Sequence, residues 1–290
     1  MKKKIVGFGL SGLIGKPLVQ KLAARYEWVK LTHAVLRNPS EEGGWQKELE
    51  GATAVINLAG EPIAGKRWTA AQKKELRDSR LNTTRAIVNA IAKSKSKPEV
   101  FLNASAIGYY GPRGDEALEE SAAAGQGFLA ALCTEWEKEA LRAELLGVRT
   151  VLLRTGIVLS KEGGALAKML PPFQFFIGGP LGSGKQMMSW VHIDDEVNAI
   201  VKALEDPGIR GPVNLTAPRA VTMNEFAQTL GKVLKRPSCF PVPSFVLKPL
   251  LGEMSKMLLT GQRAYPKKLL DHGFQFQFPT LDEALENFQL

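Results

Sequence analysis

The stretch IVGFGLSGLIGKPLVQKLAARY, residues 5–26, constrains this chain more than any other. A short apolar run passes directly into a glycine-dense turn and then into apolar residues at helical spacing. Strand, turn and helix in that order leave free backbone amides at a helix N-terminus, where the helix dipole also favours an anionic group. Gly7, Gly9 and Gly12 spell G-x-G-x-x-G, while Gly9, Gly12 and Gly15 spell G-x-x-G-x-x-G. Both spacings bring backbone close to a pyrophosphate. Glycines serving only a tight turn would give the same spelling, but here the motif heads an alternating pattern, and that context favours a dinucleotide.

The alternation continues along the chain. WVKLTHAVLR, ATAVINLAG and EVFLNAS read as a second, third and fourth strand, and VRTVLLRTGIVLS as a fifth. Between them lie a long helical segment with an apolar stripe at Leu76, Ile87, Val88 and Ile91, and a helix ended by Gly147. Such spacing predicts an α/β Rossmann-type fold, a doubly wound parallel sheet covered on both faces. After about Lys161 the rhythm changes to a segment rich in Gly, Pro and Phe and then to short helices, one opening on Thr222 and Glu225 as a capping box. The expected division is a cofactor-binding domain over 1–160, with sheet elements returning at about 186–217, and a small, mostly helical C-terminal lobe over 161–290.

Composition excludes several functions. The net charge of +9 invites a nucleic-acid reading, but the lysines are scattered and no aromatic residues interleave with the basic runs, so no nucleic-acid partner is expected. Two cysteines, Cys133 and Cys239, read as reduced thiols. No run approaches the roughly 18 apolar residues of a membrane span. MKKKIVGFG enters the first strand at once, which leaves no room for a targeting peptide and predicts a cytoplasmic protein.

A dinucleotide site usually places an acid about 20 residues beyond the glycines, at the end of the second strand, to hold the ribose hydroxyls. Here that region runs Thr32, His33, Ala34, Val35, Leu36, Arg37, with no acid and a base at its end. Arginine there suits the 2′-phosphate of NADP(H).

GLSGLIGKPLV is similar to the opening of extended short-chain dehydrogenases/reductases. With VINLAGEPI…KRW, DSRLNTT, NASAIGYYG, CTEWEKEA, LRTGIVLSKEGGALAKMLPPF, GGPLGSGKQMMSWVHIDD and LLTGQRAYPKKLLDHGF, nearly the whole chain resembles their atypical branch within the NAD-dependent epimerase/dehydratase family. That branch includes YfcH-like proteins and the SulA-like proteins linked to cell division. The resemblance implies that the second fingerprint is in use, with Gly9, Ser11, Gly12, Leu13, Ile14 and Gly15 around the pyrophosphate. It implies Leu58, Ala59 and Gly60 on the adenosine side, with Glu75, Arg80 and Val158 completing the site. The family's arginine follows the second strand directly, whereas LTHAVLRNP is longer, so Arg37 fits best and His33 stands as the alternative.

Active short-chain dehydrogenases pair a Ser or Thr with Tyr-x-x-x-Lys, whose phenol passes a proton near neutral pH. Ser105 takes the serine's place. Aligning Glu137 with the family's helix puts Leu129 and Cys133 at the tyrosine and lysine positions, and neither can do that work. The chain's one literal Y-x-x-x-K, Tyr26 to Lys30, precedes the second strand, at the sheet edge opposite the cofactor. Tyr109 and, less well, Tyr110 are placed to substitute as an acid, and both also read as packing residues.

Two further motifs resolve to structure. GPLGSGK, residues 179–185, resembles a P-loop but lacks the Ser or Thr that binds Mg²⁺ and precedes a strand. His192, Asp194 and Asp195 offer metal-like atoms, but the context makes Asp194 a helix N-cap, and no metal is expected. The expectation is an NADP(H)-dependent oxidoreductase or epimerase whose small-molecule substrate lies between Ser105, Tyr109, Glu61, Arg67, Trp68 and the MLPPFQFF segment. Arg67 would anchor an anionic group, unless it serves a surface salt bridge. The competing expectation is a non-catalytic dinucleotide-binding regulator with a cell-division partner.

Overall fold

The computed structural model describes residues 2–31 and 44–290. Its centre is a sheet of six described strands: β1 (Lys3–Phe8), β2 (Tyr26–Leu31), β3 (Ala54–Asn57), β4 (Val100–Ala106), β6 (Arg149–Thr155) and β10 (Gly211–Leu215). Their order is β2-β1-β3-β4-β6-β10 and every pair is parallel. Successive residues of the strands supply different cores, because side chains alternate across a strand. Ile5, Ile56, Leu102 and Leu153 meet Leu18 and Leu22 of α1 (Gly15–Leu22), and Val197 and Ile200 of a later helix, on one face. Val6, Val55, Phe101 and Leu152 meet Ile87 and Ile91 of α2 (Ala70–Lys93), and Ala140 of α3 (Phe128–Leu141), on the other. This is the doubly wound arrangement the alternation predicts.

The chain runs from β1 outward to β2, then returns to the other side of β1 for β3. That reversal opens a crevice beyond the carboxyl ends of β1 and β3, where open α/β sheets hold ligands.

Several local expectations need adjustment. VRTVLLRTGIVLS is two strands, because the chain leaves the main sheet at Gly156. A side chain there would stand 2.7 Å from the Ser189 carbonyl oxygen, and β7 (Ile157–Leu159) pairs instead with β9 (Trp190–His192). The helix before Gly147 ends as α3 at Leu141. A 3-10 turn over Glu144–Leu146 follows, closed by Gly147 at φ 81°. GALAKMLPPFQ forms α4 (Gly164–Gln174) despite Pro171 and Pro172 near its end.

The cap of α5 (Ile193–Glu205) is His192 rather than Asp194: its Nδ1 accepts from the Asp194 amide at 3.1 Å. The imidazole is buried and needs an acceptor role, whereas Asp194 stands exposed one position into the first turn. Asp195 instead accepts from the amides of Gln277 and Phe278 at 2.8 and 2.9 Å, fastening the C-terminal segment.

The capping box of α6 (Met223–Leu234) forms as read, with both Thr222–Glu225 bonds present. Leu166 and Phe173 of α4, Phe226 and Leu230 of α6, Trp190, and Leu285 of the terminal helix build a third core. Among the described residues the remaining α-helices are α7 (Ser244–Leu251), α8 (Ser255–Leu259), α9 (Lys267–Asp271) and α10 (Leu281–Asn287). Short pairings of β5 (Ala117–Leu118) with β12 (Arg263–Ala264), and of β8 (Met187–Met188) with β11 (Val221–Thr222), tie this region together.

Candidate functional site

The glycine turn separates the two overlapping fingerprints. Gly7 is an interior residue of β1, and the atoms nearest a Cβ there belong to the Leu10 side chain, from 2.4 Å. Gly9 sits at φ +74°, and a Cβ would lie 2.6 Å from the Ala59 amide nitrogen and the Leu58 carbonyl carbon. The turn after β1 therefore rests on the turn after β3 only because position 9 has no side chain. A Cβ on Gly15 would strike the Leu10 backbone. Gly12 differs: it is exposed, and a Cβ would touch only the Gly9 carbonyl oxygen at 3.3 Å. Packing thus requires Gly9 and Gly15, while Gly12 presents an open face. No side chain caps α1. The Lys16 amide already donates to the Gly12 carbonyl at 3.2 Å and Pro17 has no N–H. The amides open to an anion are therefore those of Leu13, Ile14 and Gly15, which have no backbone partner among the described residues.

Other predicted cofactor residues gather around this turn. Leu13 seats on α4, since a Cβ on Gly164 would lie 3.1 Å from its Cδ2 and 3.5 Å from the Val158 carbonyl oxygen. Gly60 lies beneath Arg80, whose Cζ would be 3.1 Å from a Cβ. The Arg80 guanidinium donates to the carbonyls of Leu76 and Glu61, and burial lowers its pKa. Glu75 stands on the exposed side of α2, with no hydrogen bond to the turn among the described residues. Arg37 and His33 lie outside the described residues.

Two buried polar networks support the crevice. In the first, the Asn57 side-chain amide donates to Asn103 Oδ1 at 2.7 Å and to Thr84 Oγ1 at 3.2 Å, and its carbonyl accepts from the Ala59 amide. Asn57 therefore shapes the Leu58–Gly60 turn from below. In the second, Ser105 Oγ donates to Glu137 Oε1 at 2.6 Å. Arg154 grips the same carboxylate through Nε and Nη2, both at 2.8 Å. Its Nη1 donates to Tyr110 Oη at 2.9 Å, and that hydroxyl donates to Asn214 Oδ1 at 2.7 Å. Burial works to lower the Arg154 pKa, but bonding to Glu137 and its charge outweigh burial and hold the guanidinium above its usual range. Burial raises the Tyr110 phenol, against the opposing pull of Arg154.

Sequence reasoning used Glu137 only as an alignment marker and missed Arg154, Asn57 and Asn103. Their signal is polar side chains inside otherwise apolar strands, which calls for partners wherever they are buried.

Ser105 and Tyr109 are brought together through Arg154, whose guanidinium carbon lies 3.6 Å from the Tyr109 ring centre. The Tyr110 hydroxyl is fully engaged, whereas the half-buried Tyr109 phenol has no hydrogen-bond partner among the described residues. Leu129 and Cys133 pack against the Ile107–Tyr110 turn, 3.3 and 3.8 Å from a Cβ built on Gly108. Burial first, then the nearby Glu137, push the Cys133 thiol up to about 12, so it stays neutral and cannot stand in for an ammonium.

Across the crevice, Lys168 Nζ donates to the Ala64 carbonyl at 3.1 Å and Lys73 pairs with Glu253. Arg67 is exposed and lies over Gly252, with no carboxylate paired to it among the described residues.

Tyr26 to Lys30 lies within edge strand β2 rather than before it, because pairing with β1 begins at Tyr26, whose hydroxyl bonds to Glu205. After Lys185 comes β8 rather than a helix, as read.

Comparison with known proteins agrees with this geometry. The profile of the NAD dependent epimerase/dehydratase family matches residues 6–215, and a domain of unknown function, DUF1731, matches 242–288. The chain is 43% identical over 293 residues to the chloroplastic SDR39U1 homologue of Arabidopsis thaliana, an epimerase family protein, covering 96% of this chain and 84% of the relative. It superposes on human epimerase family protein SDR39U1 (isoform 2), solved with NADPH, with a TM-score of 0.90 and 34% identity over 99% of each chain. A nucleoside-diphosphate sugar epimerase of Corynebacterium glutamicum matches with a TM-score of 0.78 and 27% identity, over 99% of this chain and 59% of that one. Among the described residues no helix is long and apolar enough to cross a membrane. Glycine turn, switch point and whole-length similarity agree, and the chain belongs to the NAD dependent epimerase/dehydratase family.

Proposed function

We propose that this protein binds NADP(H) in the crevice beyond β1 and β3 and acts as an oxidoreductase or epimerase on a small molecule. The observation that carries the reading is the open face of Gly12 beside an uncapped helix, in a chain similar to a protein solved with NADPH. Gly9, Ser11, Gly12, Leu13, Ile14 and Gly15 would hold the pyrophosphate. Leu58, Ala59 and Gly60 would line the adenosine side, with Glu75, Arg80 and Val158 around them. Arg37, or His33 in its place, would meet the 2′-phosphate. Residues 1–160 with the returning sheet elements serve as the cofactor lobe, and 161–290 as the substrate lobe.

The nicotinamide supplies a hydride donor or acceptor when bound. The chain's own groups then position a substrate and move a proton. Tyr109 offers the unengaged phenol of this cluster, and Ser105 acts through Glu137 and Arg154 by fixing the ring beneath it. The uncompensated Arg67 would orient an anionic substrate group. The free thiols Cys133 and Cys239 suit a reducing compartment such as the cytoplasm.

Fluorescence titration with both cofactors tests the reading. NADPH should bind about 10- to 100-fold more tightly than NADH, the worth of one charge-assisted contact. Arg37→Ala should erase the preference, loss of it in His33→Ala instead would reassign the contact, and equal wild-type affinities would overturn both.

A second reading is favoured by Leu129 and Cys133 at the positions of the family's Tyr and Lys: a dinucleotide-binding regulator without turnover. The cell-division setting belongs to that reading and rests on the SulA-like resemblance. Tight NADPH binding with no turnover across carbonyl and sugar-nucleotide substrates would favour it.

A further inference from the structure

The large apolar side chains left exposed are not scattered. Exposed at Leu145 and Tyr265 they stand alone, but Phe175, Phe176, Ile177, Phe240, Phe245, Val246 and Leu250 fall in two short segments. Those segments are neighbours in space. The Phe240 amide donates to the Gly178 carbonyl at 3.1 Å and the Val242 amide to the Pro180 carbonyl at 2.9 Å. Arg236 caps the Phe176 ring at 4.4 Å. Helix α7 starts immediately afterwards, buries Leu247, and turns Phe245 (74% exposed) and Leu250 (65% exposed) outward. Phe175 is 75% exposed at the end of α4. A contiguous apolar patch of this kind marks an interaction surface.

Charge decides what it meets. Residues 163–193 and 226–252, which build the patch and its surroundings, contain no Asp or Glu but include Lys168, Lys185, Lys232, Lys235, Arg236 and Lys248. Of the acids that flank these stretches, Glu225 sits in its capping box and Glu253 pairs with Lys73, while Glu162 and Asp194 border the first stretch at its two ends; Lys232 reaches the more distant Asp282. A second copy docking on the same patch would set these cations face to face, which opposes self-association.

We propose that this patch docks the protein on an anionic membrane surface, with Phe175, Phe245 and Leu250 inserted among the lipids and Lys235, Arg236 and Lys248 against the headgroups. Apolar side chains at the acyl boundary, combined with basic residues near acidic lipids, are the two contributions that hold a peripheral protein. The inference does not use the reaction proposed above, although Phe175 and Phe176 belong to the MLPPFQFF segment expected beside the substrate: Phe173 of that segment is buried, while these two rings face outward.

Flotation of the full chain with phosphatidylcholine vesicles, with and without 30% phosphatidylglycerol, tests it. Binding should appear with the anionic vesicles and fall steeply between 50 and 300 mM salt. Phe175→Ser, Phe245→Ser and Leu250→Ser combined should lower partitioning at least tenfold. Lys235→Glu, Arg236→Glu and Lys248→Glu combined should do the same, since each base near such a surface is worth about fivefold. All six positions are exposed, so thermal unfolding should be unchanged, and charge reversal reports independently should the apolar variant fold poorly. Absence of wild-type binding, or binding that both variants retain, would overturn the proposal. So would a concentration-dependent dimer in sedimentation velocity that Phe245→Ser dissolves, which would assign the patch to a second copy. A soluble acidic protein competing the chain off vesicles through residues outside the patch would also count against it.

Discussion

Ser105 and Glu137 share a 2.6 Å hydrogen bond, and the carboxylate that accepts it is gripped at both oxygens by Arg154. Ser105, proposed to hold the place of the family's serine, is thereby joined to a buried ion pair. Removing one partner of such a pair leaves a charge uncompensated, at a cost of about 3–5 kcal/mol. Glu137→Ala should therefore destabilise the protein by that amount in urea denaturation. Ser105→Ala, which removes one hydrogen bond to a charged group, should cost about 1.5–3 kcal/mol. Equal losses would mean that the hydroxyl rather than the guanidinium holds the carboxylate.

The two neighbouring tyrosines should separate by phenotype. Tyr110→Phe strips the hydroxyl between Arg154 and Asn214 and should cost about 1–3 kcal/mol of stability, the worth of leaving buried polar groups unsatisfied. Tyr109→Phe should leave the melting temperature unchanged and lower any NADPH-linked turnover by about 10²–10⁴-fold, the usual contribution of a general acid. Turnover that survives Tyr109→Phe would remove Tyr109 from the chemistry.

The glycines of the turn divide in the same manner. Gly12→Val should fold normally yet lose stabilisation by NADPH, which at 100 times Kd amounts to about 2.7 kcal/mol, or several degrees in Tm. Gly9→Val should fail in the fold itself, since position 9 needs φ +74° and the added carbon meets the Leu58–Ala59 backbone. A Gly12→Val protein that still gains stability from NADPH would contradict the use of its open face.

Glu196 gives a pH signature. Its side chain is fully buried on α5, Thr155 Oγ1 donates to one carboxyl oxygen at 2.8 Å, and the other oxygen has no partner. Burial pushes its pKa up to about 8 from an ordinary 4.5, against the lowering effect of Thr155. Between those values the native chain holds a proton that the unfolded chain releases. The favourable contribution is complete below about 4.5 and is lost as pH rises through 8, by at most about 1.4 kcal/mol per pH unit. Glu196→Gln should therefore flatten the decline in stability between pH 5 and 8.5 in thermal unfolding. Parallel pH profiles for the two proteins would place the proton elsewhere.

What could be read from the residues was what is local. Ile5 and Val6, Ile56 and Val55, Leu102 and Phe101 alternate between two cores, so β1, β3 and β4 were visible as doubly covered strands. The Thr222–Glu225 capping box and the glycine turn are likewise local patterns. Long-range pairings were not visible. Nothing in LLRTGIVL announces that Gly156 must pass the Ser189 carbonyl, and the burial of Arg154 against Glu137 is a tertiary fact. His192 displaced Asp194 as the cap of α5 because capping depends on backbone angles at the junction, which residue preference alone does not supply.

Leu13, in the glycine turn, rests on Gly164, which holds φ +74° at the first position of α4. The seat of Leu13 is thus supplied by a residue from a distant part of the chain. A chimera exchanging the C-terminal half at residue 161 would place a foreign segment under Leu13. Unless the donor also has glycine at position 164, a side chain there would be strained at φ +74° and would crowd Leu13 Cδ2 at 3.1 Å. The natural unit of exchange among relatives is therefore the turn together with its seat: a splice at residue 161 calls for a donor with glycine at 164, whereas one after Gly164 carries no such condition.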